Sequence, residues 1–208
     1  MVELVRRACD VPGVDRVVVA TDDERVADVV IAHGGEAVLT GPAACGTDRV
    51  WSALQLLDKT PALVVNVQGD MPLLPPIAIT AVISMLRSGS SVATVATPWP
   101  VGTSITDPAV VKVEVDSRGR AIRFTRRAVS AWRHVGIYGF RYPALRRAIA
   151  VDRSTADSED LEQIAWMREG LVIDVALIPD AGPAVDTLEQ LESVRRTISD
   201  PMYPTADR

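Results

Sequence analysis

The chain predicts an α/β fold, a mostly parallel sheet with helices on both faces and an antiparallel hairpin insertion. Residues 16–21 and 62–67 are apolar without alternation, as strands covered on both faces must be. Between such runs, apolar residues recur at three- and four-residue spacing, the period of a helix with one buried face. The two patterns alternate along most of the chain, an order of elements that builds a parallel sheet.

Taken in order, Val2, Leu4, Val5 and Ala8 share one helical face, and Pro12-Gly13 ends that helix. Residues 16–21 form the first buried strand. Asp22 is placed to cap the next helix, whose apolar face carries Val26, Val29, Val30 and Ala32. Gly34-Gly35 stops it, and Ala37-Val38-Leu39 is a short strand. Residues 47–57 read as helix and 62–67 as a second central strand. A helix over about 76–86 opens on proline, which the first turn tolerates. Residues 92–96 read as strand. From residue 110 the pattern changes: 111–115 and 121–124 flank Asp116-Ser-Arg-Gly119, the signature of a hairpin. Residues 135–140 are a further strand. Helices are expected at 143–150, 157–169 and 186–198, with a strand at 172–177. No linker, repeat or low-complexity segment interrupts the series, so residues 1–208 are expected to form one domain.

The composition narrows the function. The formal net charge is −5, from 22 basic and 27 acidic residues, and no Lys/Arg stripe forms. Nucleic acid and anionic membrane are therefore poor candidates for the main partner. Lysine occurs only at Lys59 and Lys112. Cys9 and Cys45 match neither a metal-ligand spacing nor a disulfide framework, as in a reducing compartment. The first nine residues lack the apolar core of a signal peptide. No apolar run approaches the roughly 20 residues of a membrane span. A cytoplasmic protein is expected.

In parallel sheets ligands sit beyond the carboxyl ends of the strands. That directs attention to the residues after Val67, Phe140 and Ala184, which lie in Val65-Asn-Val-Gln-Gly-Asp70, Arg133-His-Val-Gly-Ile-Tyr-Gly-Phe140 and Val185-Asp-Thr187. Asp70 follows a buried strand and a glycine; it is a turn residue or a hard oxygen ligand. Asp186 stands at the mouth of the last helix, as a cap or a ligand. Glu159 and Glu162, three apart on one expected helix, share a face that either meets solvent or binds hydroxyls. His134 is a core histidine or a binding group, and Arg126 can hold a carboxylate in bidentate fashion. Thr47 can simply cap its helix.

Together with Ala20-Thr-Asp-Asp23, Gly46-Thr-Asp-Arg49, Val111-Lys-Val113 and Glu159-Asp-Leu-Glu-Gln163, in this order, these segments resemble the 3-deoxy-manno-octulosonate (KDO) cytidylyltransferases from the first residues to about Val194. The stretch around His134 is the most specific. The resemblance implies the nucleotide-diphospho-sugar transferase fold and a reaction that joins CTP to a sugar acid with release of pyrophosphate, a step of lipopolysaccharide biosynthesis. It implies that Asp70 and Asp186 hold catalytic Mg²⁺. Gln68, Arg126, His134, Tyr138, Glu159 and Glu162 are implied to bind the sugar acid, and Gly46, Thr47 and Arg49 the nucleotide. A homodimer is implied as well.

The chain also departs from that family. Its members open with a buried strand and a phosphate-cradling Ser-x-Arg-Leu-Pro-Gly-Lys loop, whereas Met1 falls at the helix after it. The expectation is a sheet lacking its first strand, with neighbouring apolar faces exposed, and a chain of low stability and turnover. The family's Gly-Asp-Glu-Pro is Gly69-Asp-Met-Pro72, and the loop before Gly46 reads Thr40-Gly41-Pro-Ala-Ala-Cys45, without the usual arginine. The segment between Arg126 and Arg133 is shorter than the family's insertion. A non-catalytic or truncated paralogue that keeps the sugar-acid pocket as a binding protein is the alternative.

Overall fold

The structure, a computed structural model, describes residues 1–57, 60–99, 104–152, 159 and 161–200. Helix α1 (Val2–Cys9) leads to β1 (Val18–Thr21), α2 (Glu24–Ala32), β2 (Glu36–Leu39), α3 (Gly46–Leu56) and β3 (Leu63–Val67). Then come α4 (Pro76–Arg87), β4 (Val92–Thr97), β5 (Lys112–Val115), β6 (Ala121–Thr125) and β7 (Trp132–Arg141). The chain closes with α5 (Tyr142–Ala150), α6 (Glu162–Arg168), β8 (Ile173–Leu177) and α7 (Leu188–Ser199).

The sheet is mixed. Strand β7 pairs antiparallel with β4 along one edge, and with β3 and then β5 along the other. Strand β8 pairs parallel with β4, and β6 antiparallel with β5. It follows that β3, β4, β5 and β8 run one way while β6 and β7 run the other. Direction is thus mostly parallel, although the long central β7 makes most of the pairings antiparallel. One consequence corrects the expectation for β7: its carboxyl end, after Phe140, lies at the opposite end of the sheet from that of β3. The residues of β7 that reach the site are those at its start, around His134.

Two cores cover the two faces. On one side α4 buries Ala78, Ile79, Val82, Ile83 and Leu86 against Val95, Val135 and Ile137, with Leu4 and Ala8 of α1 alongside. The other core gathers Phe124, Tyr138, Phe140, Leu145 and Trp166. Gly139 is where α4 comes closest to β7: a Cβ there would lie 2.2 Å from a Val82 methyl and 2.8 Å from one of Leu86.

Strands β1 and β2 form a separate parallel pair. Between β1 and β3 runs a slot of about 780 Å³, lined by Val17 and Val19 on one bank, Leu63, Val65 and Val67 on the other, and Ile79 and Ile83 of α4. The facing edges of β1 and β3 carry no strand partner among the described residues. These unpaired edges across the slot are in keeping with the expected gap in the sheet.

Two local expectations are corrected. Asp23, not Asp22, caps α2: its carboxylate accepts from the Arg25 amide at 2.9 Å, while Asp22 pairs with Arg49 at 2.9 Å. Helix α6 begins at Glu162 because Leu161 is extended, with φ −112° and ψ 110°. Glu159 stands before the helix, so the two glutamates share no helical face; residues 157, 158 and 160 of the expected helix lie outside the described residues.

Candidate functional site

Strand β3 delivers the first groups. Its alternation sends Leu63, Val65 and Val67 into the α4 core and Val64 to the opposite face. Asn66 therefore points away from α4, and the buried Nδ2 of its side chain lies 3.5 Å from where a Cβ on Gly46 would be. That amide nitrogen has no hydrogen-bond partner, and neither has the Oγ1 of the fully buried Thr47. Thr47 is not the cap of α3, whose N-cap is Cys45 without a capping side chain. The start of α3 at Gly46 thus faces the orphaned amide of Asn66 at close range. Arg49 fastens the loop beneath, donating to Thr40 Oγ1 at 3.1 Å and to Asp22 at 2.9 Å.

Beyond β3, the exposed Gln68 lies over Gly136 of β7, 3.4 Å from where a Cβ there would be. Asp70 follows. Its Oδ1 is buried and has no partner. Burial is the main cause that raises its pKa above the usual carboxylate value; the negative charge of Asp186 adds to this and a backbone hydrogen bond opposes it. The loop that carries Asp186 meets this one directly, with the Val185 amide donating to the Asp70 carbonyl at 2.8 Å. Asp186 is not the helix cap: Thr187 caps α7 through a full capping box with Gln190. Among the described residues no group of three or more His, Cys, Asp or Glu could hold a metal. Two carboxylates on adjoining loops, one with an orphaned oxygen, nevertheless suit Mg²⁺, which typically takes one or two protein carboxylates and completes its shell with water and substrate phosphates.

On the same face as Asn66, β7 places His134 and Tyr138 with ring centroids 5.2 Å apart, and Trp166 stands edge-on to Tyr138, also at 5.2 Å. A β-bulge in β7 at Gly136-Ile137, opposite Thr94 and Val95, shifts the register between His134 and Tyr138. Thr94 Oγ1 lies 2.6 Å from the Ile137 carbonyl and 3.0 Å from His134 Nε2. The hydroxyl proton goes to the carbonyl, so His134 is the donor through Nε2 and keeps Nδ1 as an acceptor. Burial depresses the pKa of His134 to about 3, so the ring is neutral in ordinary conditions. Burial, with a contribution from Glu162, pushes that of Tyr138 well up. The Tyr138 hydroxyl, the Trp166 indole nitrogen and Thr97 Oγ1 are buried without partners. Glu162 accepts from the Cys45 thiol at 2.9 Å, which ties α6 to the start of α3.

Glu159 and Arg126 form a second group, at the end of β6. Glu159 accepts from Thr125 Oγ1 at 2.8 Å and from the Arg126 amide, and Arg127 approaches it at 3.5 Å. The Arg126 guanidinium donates to the carbonyls of Pro108, Ala109 and Glu159 through Nε and Nη1. Lys112, fully buried, donates to the carbonyls of Asp107, Val110 and Arg126 and so clamps the same corner.

Of the residues singled out in the sequence, the structure brings Asp70 to Asp186, Gln68 to β7, His134 to Tyr138, and Glu162 to the start of α3 beside Gly46 and Thr47. Arg126 and Glu159 join each other instead. Asn66, Cys45, Thr94 and Trp166 escaped the sequence reading. A polar residue inside the apolar run Val64-Val-Asn-Val67 was the one signal available for Asn66.

The chain matches the family model described as Cytidylyltransferase over residues 1–174. It is 41% identical over 207 residues to a 3-deoxy-manno-octulosonate cytidylyltransferase of Anaeromyxobacter dehalogenans (strain 2CP-C), covering 94% of this chain and 85% of the relative. It is 40% identical over 215 residues to the enzyme of that name from Parvibaculum lavamentivorans, covering 96% and 82%. Among solved structures, a CMP:2-keto-3-deoxy-manno-octonic acid synthetase in complex with CTP superimposes with a TM-score of 0.87 at 31% identity, over 95% of this chain and 86% of that one.

Proposed function

The chain belongs to the cytidylyltransferase family, and from that premise we propose that it joins CTP to KDO or a closely related sugar acid. The anomeric oxygen of the acid attacks the α-phosphorus of CTP; an oxygen–phosphorus bond forms, the bond from Pα to the bridging oxygen breaks, and pyrophosphate leaves. The observation that carries the reading is the continuous likeness to KDO cytidylyltransferases across 94% of the chain, which includes the loops where Asp70 meets Asp186.

The residues divide the work by their chemistry. Asp70 and Asp186 are the groups that would hold Mg²⁺. When bound, it neutralises charge developing on the phosphoryl oxygens. The amides opening α3, with Asn66 and Thr47, offer a close-fitting edge to the nucleotide, and Arg49 fixes their loop. His134, neutral and with Nδ1 as acceptor, receives a sugar hydroxyl rather than supplying a proton. Tyr138 and Glu162 stand beside it as a donor and an acceptor. Arg126, anchored through Nε and Nη1, has Nη2 to offer the acceptor's carboxylate. A cytoplasmic site of action and a homodimer belong to the same reading; no helix of the described residues is long and apolar enough to cross a membrane.

The test is product formation. Incubated with CTP, Mg²⁺ and KDO, the protein should yield CMP-KDO, detected by mass spectrometry so that slow turnover still registers, and UTP or ATP should not replace CTP. Absence of product with KDO and with other sugar acids, together with no calorimetric binding of CTP, would overturn the proposal.

A further inference from the structure

The two loops that bring Asp70 and Asp186 together are pinned at a second point, and this point has no part in the chemistry. Gly182, four residues before Asp186, packs on the carbonyl of Leu73, three residues after Asp70; a Cβ there would fall 2.9 Å from the Leu73 oxygen and 3.3 Å from its carbon. Its φ is +70°, a conformation that a side chain disfavours in any case. The Val185 amide bonds the Asp70 carbonyl at 2.8 Å. The two pins bracket the carboxylates: one lies beside Asp70, the other is a short loop away from each. Helix α1 backs the arrangement, with Arg7, itself held by Glu3 at 2.8 Å, reaching the carbonyls of Leu73 and Leu74 at 3.4 and 3.5 Å.

We infer that Gly182 is a positioning residue, and that its close approach to the Leu73 carbonyl sets the separation of the Asp70 and Asp186 carboxylates. Any side chain at 182 must push the two backbones apart, because the obstacle is a carbonyl and not the tip of a flexible side chain. The loop then swings away with Asp186, and a cation that needs both carboxylates loses one. The inference rests on the reading of this pair as the cation site.

Gly170 supplies the control. Its φ is +73°, close to that of Gly182, yet nothing lies within 4 Å of where its Cβ would be. Gly170→Ala therefore carries the same conformational cost without the collision. Asparagine tolerates this left-handed region better than alanine, so Gly182→Asn relieves the φ cost and keeps the collision. The measurement is Mn²⁺ binding by electron paramagnetic resonance, with and without CTP, on the wild type, Gly182→Ala, Gly182→Asn, Gly170→Ala and Asp70→Asn, each first shown to unfold cooperatively. Both Gly182 variants should bind Mn²⁺ about tenfold more weakly or worse, the scale on which groups supporting metal ligands act. Gly170→Ala should match the wild type, and Asp70→Asn should lose the site. If Gly182→Ala binds Mn²⁺ as tightly as Gly170→Ala, the positioning role is wrong and the cation reading stands. If Asp70→Asn binds as the wild type does, the cation reading fails and this inference with it. Should the Gly182 variants not fold, Arg7→Met, which frees the Leu73 carbonyl from α1 without adding atoms to the loop, should weaken binding by a smaller factor; unchanged binding would count against the latch.

Discussion

His134 shows what burial does to a single titratable group. With its folded pKa near 3 and an ordinary value of 6.5, the unfolded chain takes up a proton first as the pH falls. Stability attributable to this residue is therefore complete above about pH 6.5 and drains away between 6.5 and 3, at up to about 1.4 kcal/mol per pH unit. His134→Gln should flatten that part of the curve in urea denaturations run from pH 7 to 4; an unchanged slope would show that the ring charges without penalty. Asp70 has the opposite sense for a carboxyl. Its raised pKa means that the unfolded chain ionises first as the pH rises, so folding is penalised from the ordinary carboxylate range upward. In the absence of metal, Asp70→Asn should melt higher than the wild type at pH 7 and no higher near pH 3, while Mg²⁺ should raise the melting point of the wild type alone. A variant that melts lower at pH 7 without metal would show that the carboxylate serves the fold. The sequence pointed to both residues but could not rank their roles. Whether a histidine in an apolar run is neutral, or an aspartate after a strand is left unpartnered, depends on neighbours distant in the chain, here Thr94 and Asp186.

At the scale of elements, periodicity placed α4 and its buried face well, because Ala78, Ile79, Val82, Ile83 and Leu86 recur with helical spacing. It failed at α6, where Leu161 is extended and Glu159 turns back to bind Thr125 and the Arg126 amide. A tertiary hydrogen bond decided that boundary, and local pattern carries no trace of it. Nor does it report strand direction: the run 135–140 reads as one more buried strand, and only its neighbours reveal that it is antiparallel. The contact of α4 with β7 has its own test. A methyl at Gly139 would collide with Val82 at 2.2 Å and Leu86 at 2.8 Å, both fully buried. Gly139→Ala should thus cost about 1–3 kcal/mol, the usual penalty for overpacking a core. Denaturation showing a loss under about 0.5 kcal/mol would mean that α4 can shift outward freely.

Across the whole molecule the sheet is held unequally. The larger sheet has six strands and a core on each face, and β4 within it is buried at every position. Among the described residues the β1–β2 pair has no strand beyond it, and it borders the slot of about 780 Å³. A two-stranded unit is at best marginal by itself, so the pair depends on α2 and α3 and on what the slot walls contribute. Those walls are weak supports, because Val17, Leu63, Val65 and Val67 are only partly buried and forgo part of the roughly 25 cal/mol per Å² that full burial brings. Opening of β1 and β2 should then need much less free energy than global unfolding. In native-state hydrogen exchange, amides of Val18 to Thr21 and of Glu36 to Leu39 should exchange through a low-energy local opening that responds little to denaturant. Amides of β4 and of the second half of β7 should exchange only with the whole molecule. The same asymmetry should appear in truncation: Leu145→Ala, at a fully buried site, should cost about 2–5 kcal/mol, and Leu63→Ala, on the slot, less than half as much. Equal protection in β1 and β4 would mean that the slot is closed in solution and that the two sheets unfold as one unit.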